Sequence, residues 1–235
     1  MDEKRSIEDI ITLVEQNFKF LHIGKFLSHY IKEHNLASKA KNLLLNLGHN
    51  RSYLLRGDLI RDSLSESFIN WNKSNILGYF ITWNAFRGIA MAMYEGISKN
   101  ADFEKFLEHI FKQQYTHFNY IIAFIRNVLS HNIDNEIRLI KDDFEGTANR
   151  FKKKVDTSGV VVLRFIYSRD FPEKTTLPEN YGFNIEIQFC SLKEGDKFTD
   201  IVSEWHLFMI MELCSNVIGY YRKKQLPNKA DAGDA

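Results

Sequence analysis

The sequence THFNYIIAFIRNVLSH, residues 116–131, decides the predicted fold, because apolar side chains occupy nearly every face of it until its polar end. A helix that is apolar all round is stable only when other elements surround it. We therefore expect a central core helix from about Thr116 to Ser130. Its end, Arg126-Asn127-Val128-Leu129-Ser130-His131, gathers polar side chains and is the concentrated chemical feature of the chain.

Apolar residues that recur three and four positions apart predict further helices around this core helix. Each predicted helix buries one apolar face and leaves its other faces to solvent. The predicted helices are approximately Ser6–His34, a leucine-rich stretch Leu43–Leu64 with a turn near residues 48–50, Asn75–Ser98, Asp102–Lys112 with Asp102 as N-cap, and Phe198–Lys224.

Two stretches past Asp134 have the patterns of β-strands. Residues 159–167 form a β-branched run, and residues 183–189 alternate between apolar and polar side chains. The linker between them contains Pro172 and Pro178, so we expect a two-stranded antiparallel unit. Because two strands alone are marginal in water, this unit must pack on helices or on a partner.

The length of 235 residues suits a single domain with a sizeable core. The predicted fold class is mainly α, with an N-terminal helical extension and a two-stranded antiparallel β insertion before the last helix. The expected parts of this domain are N-terminal helices in 1–65, core helices with the polar cluster in 75–134, the β insertion in 159–190, the closing helix in 198–224 and a loose tail in 226–235.

The charge and cysteine content exclude several classes of protein. A formal net charge of +1 means that the chain as a whole does not attract nucleic acid through its overall charge. Any site for a polyanion must therefore be a local group of basic residues. Cys190 and Cys214 stand in no zinc-finger spacing, and we expect no metal and no cofactor. The charged N-terminus and the lack of a long apolar run predict a cytoplasmic protein without a membrane span.

The pairing of Arg126 with His131 five residues later is uninformative by itself. With eight histidines in the chain, chance supplies about one such match. The context favours a functional role for the pair, because Asn127 directly follows the arginine and both residues lie at the end of a strongly apolar helix. A structural reading stays open, in which Arg126 caps the helix C-terminus, where positive charge is favoured.

The cluster resembles the motif of the HEPN superfamily, Arg-polar-x-x-x-His at the end of a core helix in a helical bundle. Arg126, Asn127 and His131 match that motif residue by residue, and the resemblance spans about 75–132 plus the closing helix. It implies a HEPN-like bundle and, as in many members, a metal-independent ribonuclease that acts as a dimer. The two predicted strands are not part of the common bundle and would be an insertion.

The chemistry of these side chains is compatible with metal-free RNA cleavage. An imidazole such as that of His131 can accept or donate a proton near neutral pH. A guanidinium such as that of Arg126 grips phosphate oxygens in two places. The Asn127 amide, four residues before His131, is expected to orient the imidazole or to contact a phosphate. Local basic residues that are candidates for guiding RNA are Arg150, Lys152, Lys153 and Lys154.

Helix geometry places Arg126 and His131 on different faces. At about 100° per residue, positions five apart point about 140° away from each other. Either the helix deforms at Ser130, or the motif of a second protomer completes one site. The second option fits a symmetric homodimer.

The sequence therefore predicts a HEPN-type endoribonuclease that leaves 2',3'-cyclic phosphate ends, with RNA as substrate and a cognate antitoxin or regulatory protein as a further partner. The resemblance implies a role as a toxin or antiphage effector. An alternative is a non-catalytic HEPN domain that binds RNA, a nucleotide or a protein through the same residues. A third is an interaction protein whose strand pair extends the sheet of a partner.

Overall fold

The structure is a computed structural model that describes residues 6–46, 52–62, 81–131 and 136–225. Within these ranges the chain is mainly helical and carries short antiparallel strand pairs, which confirms the predicted mainly α class. The HEPN-like bundle stays a prediction. The chain groups into two compact units, 19–85 and the remainder. The single domain predicted from the length stays a prediction.

The named helices and strands follow the chain in a simple order. They are α1 (Ile7–Glu33), β1 (Leu43–Asn46), β2 (Ser52–Leu55), α2 (Ile81–Lys99), α3 (Ala101–Phe111), α4 (Tyr115–His131), α5 (Lys141–Lys154), β3 (Val160–Ile166), α6 (Tyr167–Asp170), β4 (Gly182–Gln188), α7 (Phe198–Ile201) and α8 (Glu204–Gln225). Residues 57–62 are also helical.

The unit formed by residues 19–85 corrects the predicted second helical stretch. Strands β1 and β2 pair antiparallel, with Leu43 opposite Leu55, so a helix over these residues is wrong. The Gly57 N–H donates to Asn42 Oδ1 at 2.8 Å and closes the open end of the pair. The predicted turn near 48–50, like residues 75–80 of the next predicted helix, lies outside the described residues.

Helix α4 is the centre of the larger unit, as its apolar sequence predicts. The Phe118 ring stacks on Phe111 with centroids 4.1 Å apart, and the Phe124 ring meets Phe189 edge-on at 5.5 Å. The buried residues of α4 are Tyr115, Phe118, Ile121, Ile122, Ala123, Phe124, Ile125, Val128 and Leu129. The polar end of this helix is therefore held by a helix that is buried in the core.

The predicted two-stranded antiparallel unit is confirmed by β3 and β4, and helices cover one face of it. Leu163 lies opposite Ile185, and both side chains are buried on this face. Helix side chains also bind the strand edges. The Val162 N–H donates to His117 Nδ1 at 3.2 Å, and the Arg164 N–H donates to Gln114 Oε1 at 2.8 Å. A partner strand would need these two backbone N–H groups for its own hydrogen bonds, and they are already used. This weakens the alternative in which the strand pair extends the sheet of a partner.

The bond from Val162 to His117 predicts a pH dependence of stability. Burial lowers the pKa of His117 below its ordinary value near 6.5, and Asp156 opposes this shift only in part. The unfolded chain therefore binds a proton at this histidine more readily than the folded chain does. The stability contributed by neutral His117 is present above about pH 6.5 and is lost as the pH falls through the lower pKa of the folded state. We expect His117→Gln to flatten the fall in urea midpoint between pH 7.5 and pH 5.

The control for this measurement is His109→Gln, which changes an exposed histidine of α3. This variant is expected to keep the slope of the wild type. Parallel profiles for the wild type and His117→Gln would contradict the assignment.

Two predicted helix starts need correction. The N-cap of α3 is Asn100, whose side-chain oxygen accepts the Phe103 N–H at 2.8 Å, and Asp102 lies inside the first turn. The predicted closing helix is divided into α7 and α8, because the Ser203 hydroxyl oxygen accepts the His206 N–H and begins a new helix. Asparagine and serine are both preferred N-caps, so each correction follows ordinary capping chemistry.

Helix α5, which is not among the helices predicted from the sequence, packs antiparallel along α4. The pairs that record this packing are Tyr120 with Phe151, Asn127 with Thr147, and His131 with Asp143. The first turn of α5 consequently lies beside the polar end of α4. No helix in the described ranges is both long enough and apolar enough to span a membrane.

Candidate functional site

The polar end of α4 remains α-helical through His131. The Ser130 hydroxyl donates to the carbonyl oxygen of Arg126, one turn earlier, at 2.6 Å. His131 reaches Asp143 on α5, whereas the Arg126 guanidinium lies 5.2 Å from the centroid of the Tyr94 ring on α2. The two motif residues therefore meet different neighbouring helices, in agreement with their spacing of about 140° on a regular helix.

His131 forms a carboxylate–imidazole pair with Asp143. The distance from His131 Nδ1 to Asp143 Oδ1 is 2.9 Å, and the Asp143 side chain is fully buried while that of His131 is 40% exposed. A carboxylate only accepts hydrogen bonds, so Nδ1 carries the donated proton and Nε2 is left as the basic nitrogen. A solvent-accessible imidazole with a fixed tautomer is suited to general acid or base chemistry.

The position of Asp143 follows from the capping of α5. The Ile140 N–H donates to Asp143 Oδ2 at 2.9 Å, so one carboxylate oxygen satisfies a backbone donor at the helix start. The other oxygen faces His131. The two contacts hold the carboxylate in one orientation. Because His131 donates to this fixed carboxylate, the orientation of the imidazole is fixed as well.

Asn127 connects Arg126 to α5. The Arg126 Nη1 donates to Asn127 Oδ1 at 3.0 Å, while Asn127 Nδ2 donates to the Asp143 carbonyl oxygen at 3.4 Å and to Thr147 Oγ1 at 3.3 Å. From the sequence, Asn127 is predicted to orient the imidazole or to contact a phosphate. In the structure Asp143 orients the imidazole, and Asn127 orients the guanidinium.

The reading of Arg126 as a cap of its own helix finds little support. The Arg87 Nε of α2 donates to the carbonyl oxygen of Leu129 near the C-terminus of α4. Arg126 instead directs its guanidinium to Asn127 and to the ring of Tyr94. A guanidinium held by an amide and an aromatic face keeps its permanent charge and its fork of donors.

The predicted RNA-guiding residues divide into two locations. Arg150 lines a cavity beside Tyr94 and Tyr120. Lys152, Lys153 and Lys154 form the last turn of α5, whereas Asp143 lies in its first turn. At about 1.5 Å per residue, Lys154 lies about 16 Å along the helix axis from Asp143. The lysine run is therefore remote from the His131–Asp143 pair, whereas Arg150 shares a cavity with Tyr94, the ring that contacts Arg126.

Three residues of the site are not predicted from the sequence: Asp143, Thr147 and Tyr94. A signal for the first two was present, because Thr147, Ala148 and Phe151 have the three-and-four spacing of a helix face inside a charged stretch. That face would have placed Asp143 one turn before Thr147. Nothing local marks Tyr94, whose role comes from its contact with Arg126.

Among the residues that the structure describes, no group of three or more His, Cys, Asp or Glu side chains is arranged to hold a metal ion. In comparisons with known proteins, the chain matches no family model, no curated protein and no solved structure.

Proposed function

We propose that the chain is a HEPN-type, metal-independent endoribonuclease. The observation that carries the proposal is the pair of a buried Asp143 carboxylate with a solvent-accessible His131 imidazole at 2.9 Å. Arg126 adds a permanent positive charge, held by Asn127 at 3.0 Å. A tautomer-fixed histidine and an oriented arginine are the groups that cleavage of RNA through its own 2'-hydroxyl needs.

The proposed reaction is a transesterification. The 2'-oxygen attacks the adjacent phosphorus, and the bond from phosphorus to the 5'-oxygen breaks. His131 Nε2 takes the proton of the 2'-hydroxyl, Arg126 stabilises the charge on the phosphorane oxygens, and a second acid protonates the leaving 5'-oxygen. The products are a 2',3'-cyclic phosphate and a 5'-hydroxyl.

A homodimer supplies that second acid in the proposal. One protomer offers His131 for one proton transfer, and the same histidine of a second copy serves the other. Arg126 and His131 face different helices of one protomer, α2 and α5, so a two-fold axis across the ends of two α4 helices would gather both kinds of group at one phosphate. The need for a second acid and the divergent directions of the motif residues support the proposed dimer.

The cellular role is proposed from the resemblance, as a cytoplasmic toxin or antiphage effector held in check by an antitoxin or another regulatory protein. The two cysteines, Cys190 and Cys214, are free thiols, which suits a reducing compartment. A net charge of +1 favours recognition of RNA through local groups, namely Arg126, Arg150 and the lysine run of α5.

A second candidate is a non-catalytic module that binds RNA, a nucleotide or a protein at the same residues. The cavity beside Tyr94, of about 360 Å³, favours this candidate because its wall includes the ring that carries the Arg126 guanidinium, so a ligand can bind next to the motif without using the imidazole. The two candidates differ in what happens to bound RNA, since only the nuclease changes it.

The test compares RNA affinity and RNA cleavage in separate Arg126→Ala and His131→Ala variants, using a labelled mixed-sequence RNA. We expect Arg126→Ala to weaken binding by about 10- to 100-fold, the loss of a charge-assisted hydrogen bond to phosphate. We expect His131→Ala to retain binding and to lose cleavage.

The charge-matched control is Arg56→Ala, which removes an exposed arginine paired with Asp58. It is expected to change neither readout. RNA that binds through Arg126 but is cut by no form of the protein would favour the binding module over the nuclease.

A further inference from the structure

A cavity of about 360 Å³ lies between α2, α3, α4 and α5, one helical turn before the motif. Its volume falls in the range of sites for small organic ligands. The residues that line it are Tyr94, Ile97, Ser98, Glu104, Asn119, Tyr120, Ala123 and Arg150. This lining combines aromatic rings, one carboxylate, one amide and one guanidinium.

The cavity adjoins the arginine that the proposed function assigns to phosphate. The ring of Tyr94 is part of the cavity wall and also carries the Arg126 guanidinium at 5.2 Å from its centroid. Ala123 lines the cavity three residues before Arg126, about 4.5 Å along the axis of α4. A nucleotide whose phosphate contacts Arg126 therefore has this cavity within reach of its base.

The aromatic walls are held in place for stacking. The Tyr120 ring meets the Phe151 ring edge-on at 5.0 Å, which fixes it against α5. Burial raises the pKa of Tyr120, with Arg150 opposing the shift, so its hydroxyl stays protonated and can donate. Stacking of a base on such rings contributes about 1–3 kcal/mol and does not by itself select the base.

Glu104 is the residue of the cavity wall whose hydrogen bonds can distinguish one base from another. The Tyr115 hydroxyl donates to Glu104 Oε1 at 3.0 Å and thereby fixes the carboxylate at the cavity wall. A carboxylate accepts several hydrogen bonds and donates none, so it favours a base edge with adjacent N–H donors. Guanine presents such an edge at N1 and N2. Adenine and cytosine place an acceptor nitrogen beside their amino group, and uracil flanks its one N–H with carbonyl oxygens.

We propose that this cavity is a guanine subsite, in which Tyr94 and Tyr120 provide stacking faces, Glu104 accepts from guanine N1 and N2, and the phosphate of the same nucleotide lies on Arg126. Asn119 and Arg150, also on the wall, provide donors for the acceptor edge of the ring. The inference rests on the proposed function for its link to RNA, because that function assigns phosphate to Arg126.

The first test measures binding without any reaction. The probes are guanosine, adenosine, cytidine and uridine 3'-monophosphates, titrated separately into the intact protein by calorimetry. We expect the guanosine nucleotide to bind at least tenfold more tightly than the other three. Equal affinity for the four nucleotides, or no binding at millimolar concentration, would overturn the subsite.

Variants of one helix locate the selectivity. Glu104→Gln keeps the shape of the side chain and an acceptor for Tyr115, but it loses one of the two carboxylate oxygens. It is expected to reduce the guanosine preference by at least tenfold. Glu108→Gln, an exposed residue of the same helix, is the matched control and should keep the preference. A preference that survives in Glu104→Gln would overturn the assignment of that carboxylate.

Mapping of cut sites separates this inference from the proposed function. If the guanosine nucleotide binds selectively and no RNA is cut, the subsite stands and the nuclease is wrong. If RNA is cut beside all four bases at equal frequency, the nuclease stands and the subsite is wrong. Cuts concentrated beside guanosine, and dispersed by Glu104→Gln, support both.

Discussion

His131→Ala is expected to lower the rate of RNA cleavage by about 10²- to 10⁴-fold, the usual contribution of a positioned general acid or base. The imidazole is the group of the motif that can exchange a proton near neutral pH. Because its side chain is 40% exposed, removing it creates little cavity, but it also takes a hydrogen bond from the buried Asp143 carboxylate, so a loss of stability is expected beside the loss of rate. The measurement is the initial rate on a labelled RNA, at a temperature where the unfolding curves show that wild type and variant are both folded.

A second substitution at this position separates chemistry from structure. His131→Gln can retain an N–H donor for the buried Asp143 carboxylate but cannot act as an acid or base. It is expected to be as inactive as His131→Ala and more stable. His109→Ala, at an exposed position of α3, serves as the control and should cleave at the wild-type rate. Activity in His131→Gln within tenfold of the wild type would remove His131 from the chemistry.

Asp143→Asn is expected to reduce cleavage by about 10³- to 10⁴-fold, the order of loss known when an imidazole is left in the wrong tautomer. The amide oxygen can still accept the Ile140 N–H, so its NH₂ group then faces His131 Nδ1. That nitrogen must become an acceptor, which moves the imidazole proton to Nε2 and removes the basic nitrogen from the reaction. A stability cost of about 1–3 kcal/mol is expected for the disturbed buried hydrogen bonds.

The control for Asp143→Asn is Asp142→Asn, which makes the same change at the exposed neighbouring position of α5. Nitrogen-15 NMR of the His131 ring reports the tautomer directly and does not depend on activity. We expect the proton on Nδ1 in the wild type and on Nε2 in Asp143→Asn. A variant that is inactive but keeps the wild-type tautomer would show that Asp143 acts on stability rather than on the imidazole.

The parts of the fold that sequence predicted are those set by local periodicity. Helix α4 and the β3–β4 pair were predictable because their apolar residues repeat with the period of a helix or of a strand. The leucines of β1 and β2 carry no such signal, and leucine favours helices intrinsically. Their pairing joins residues twelve apart in the sequence, such as Leu43 and Leu55, so it depends on contacts that local spacing does not encode.

Only the part of the candidate site that is local in the sequence could be predicted, for the same reason. Arg126, Asn127 and His131 lie within six consecutive residues, and their residue types suggest the chemistry. Asp143 lies twelve residues beyond His131 in a charged stretch, where the helical spacing of Thr147, Ala148 and Phe151 is a weak sign of a buried face and does not indicate its partner. Its burial exists only because α5 packs back along α4, which places the first turn of one helix against the last turn of the other. Partners made by helix packing are invisible to motif spacing.

The most direct test of the central claim is cleavage of a labelled mixed-sequence RNA by the wild-type protein in the presence of EDTA, with analysis of the new ends. The claim is that His131, held by Asp143, transfers a proton in a metal-free transesterification. It predicts undiminished cleavage in EDTA that leaves 2',3'-cyclic phosphate and 5'-hydroxyl ends. Cleavage that requires added divalent metal, or that leaves 5'-phosphate ends, would contradict it.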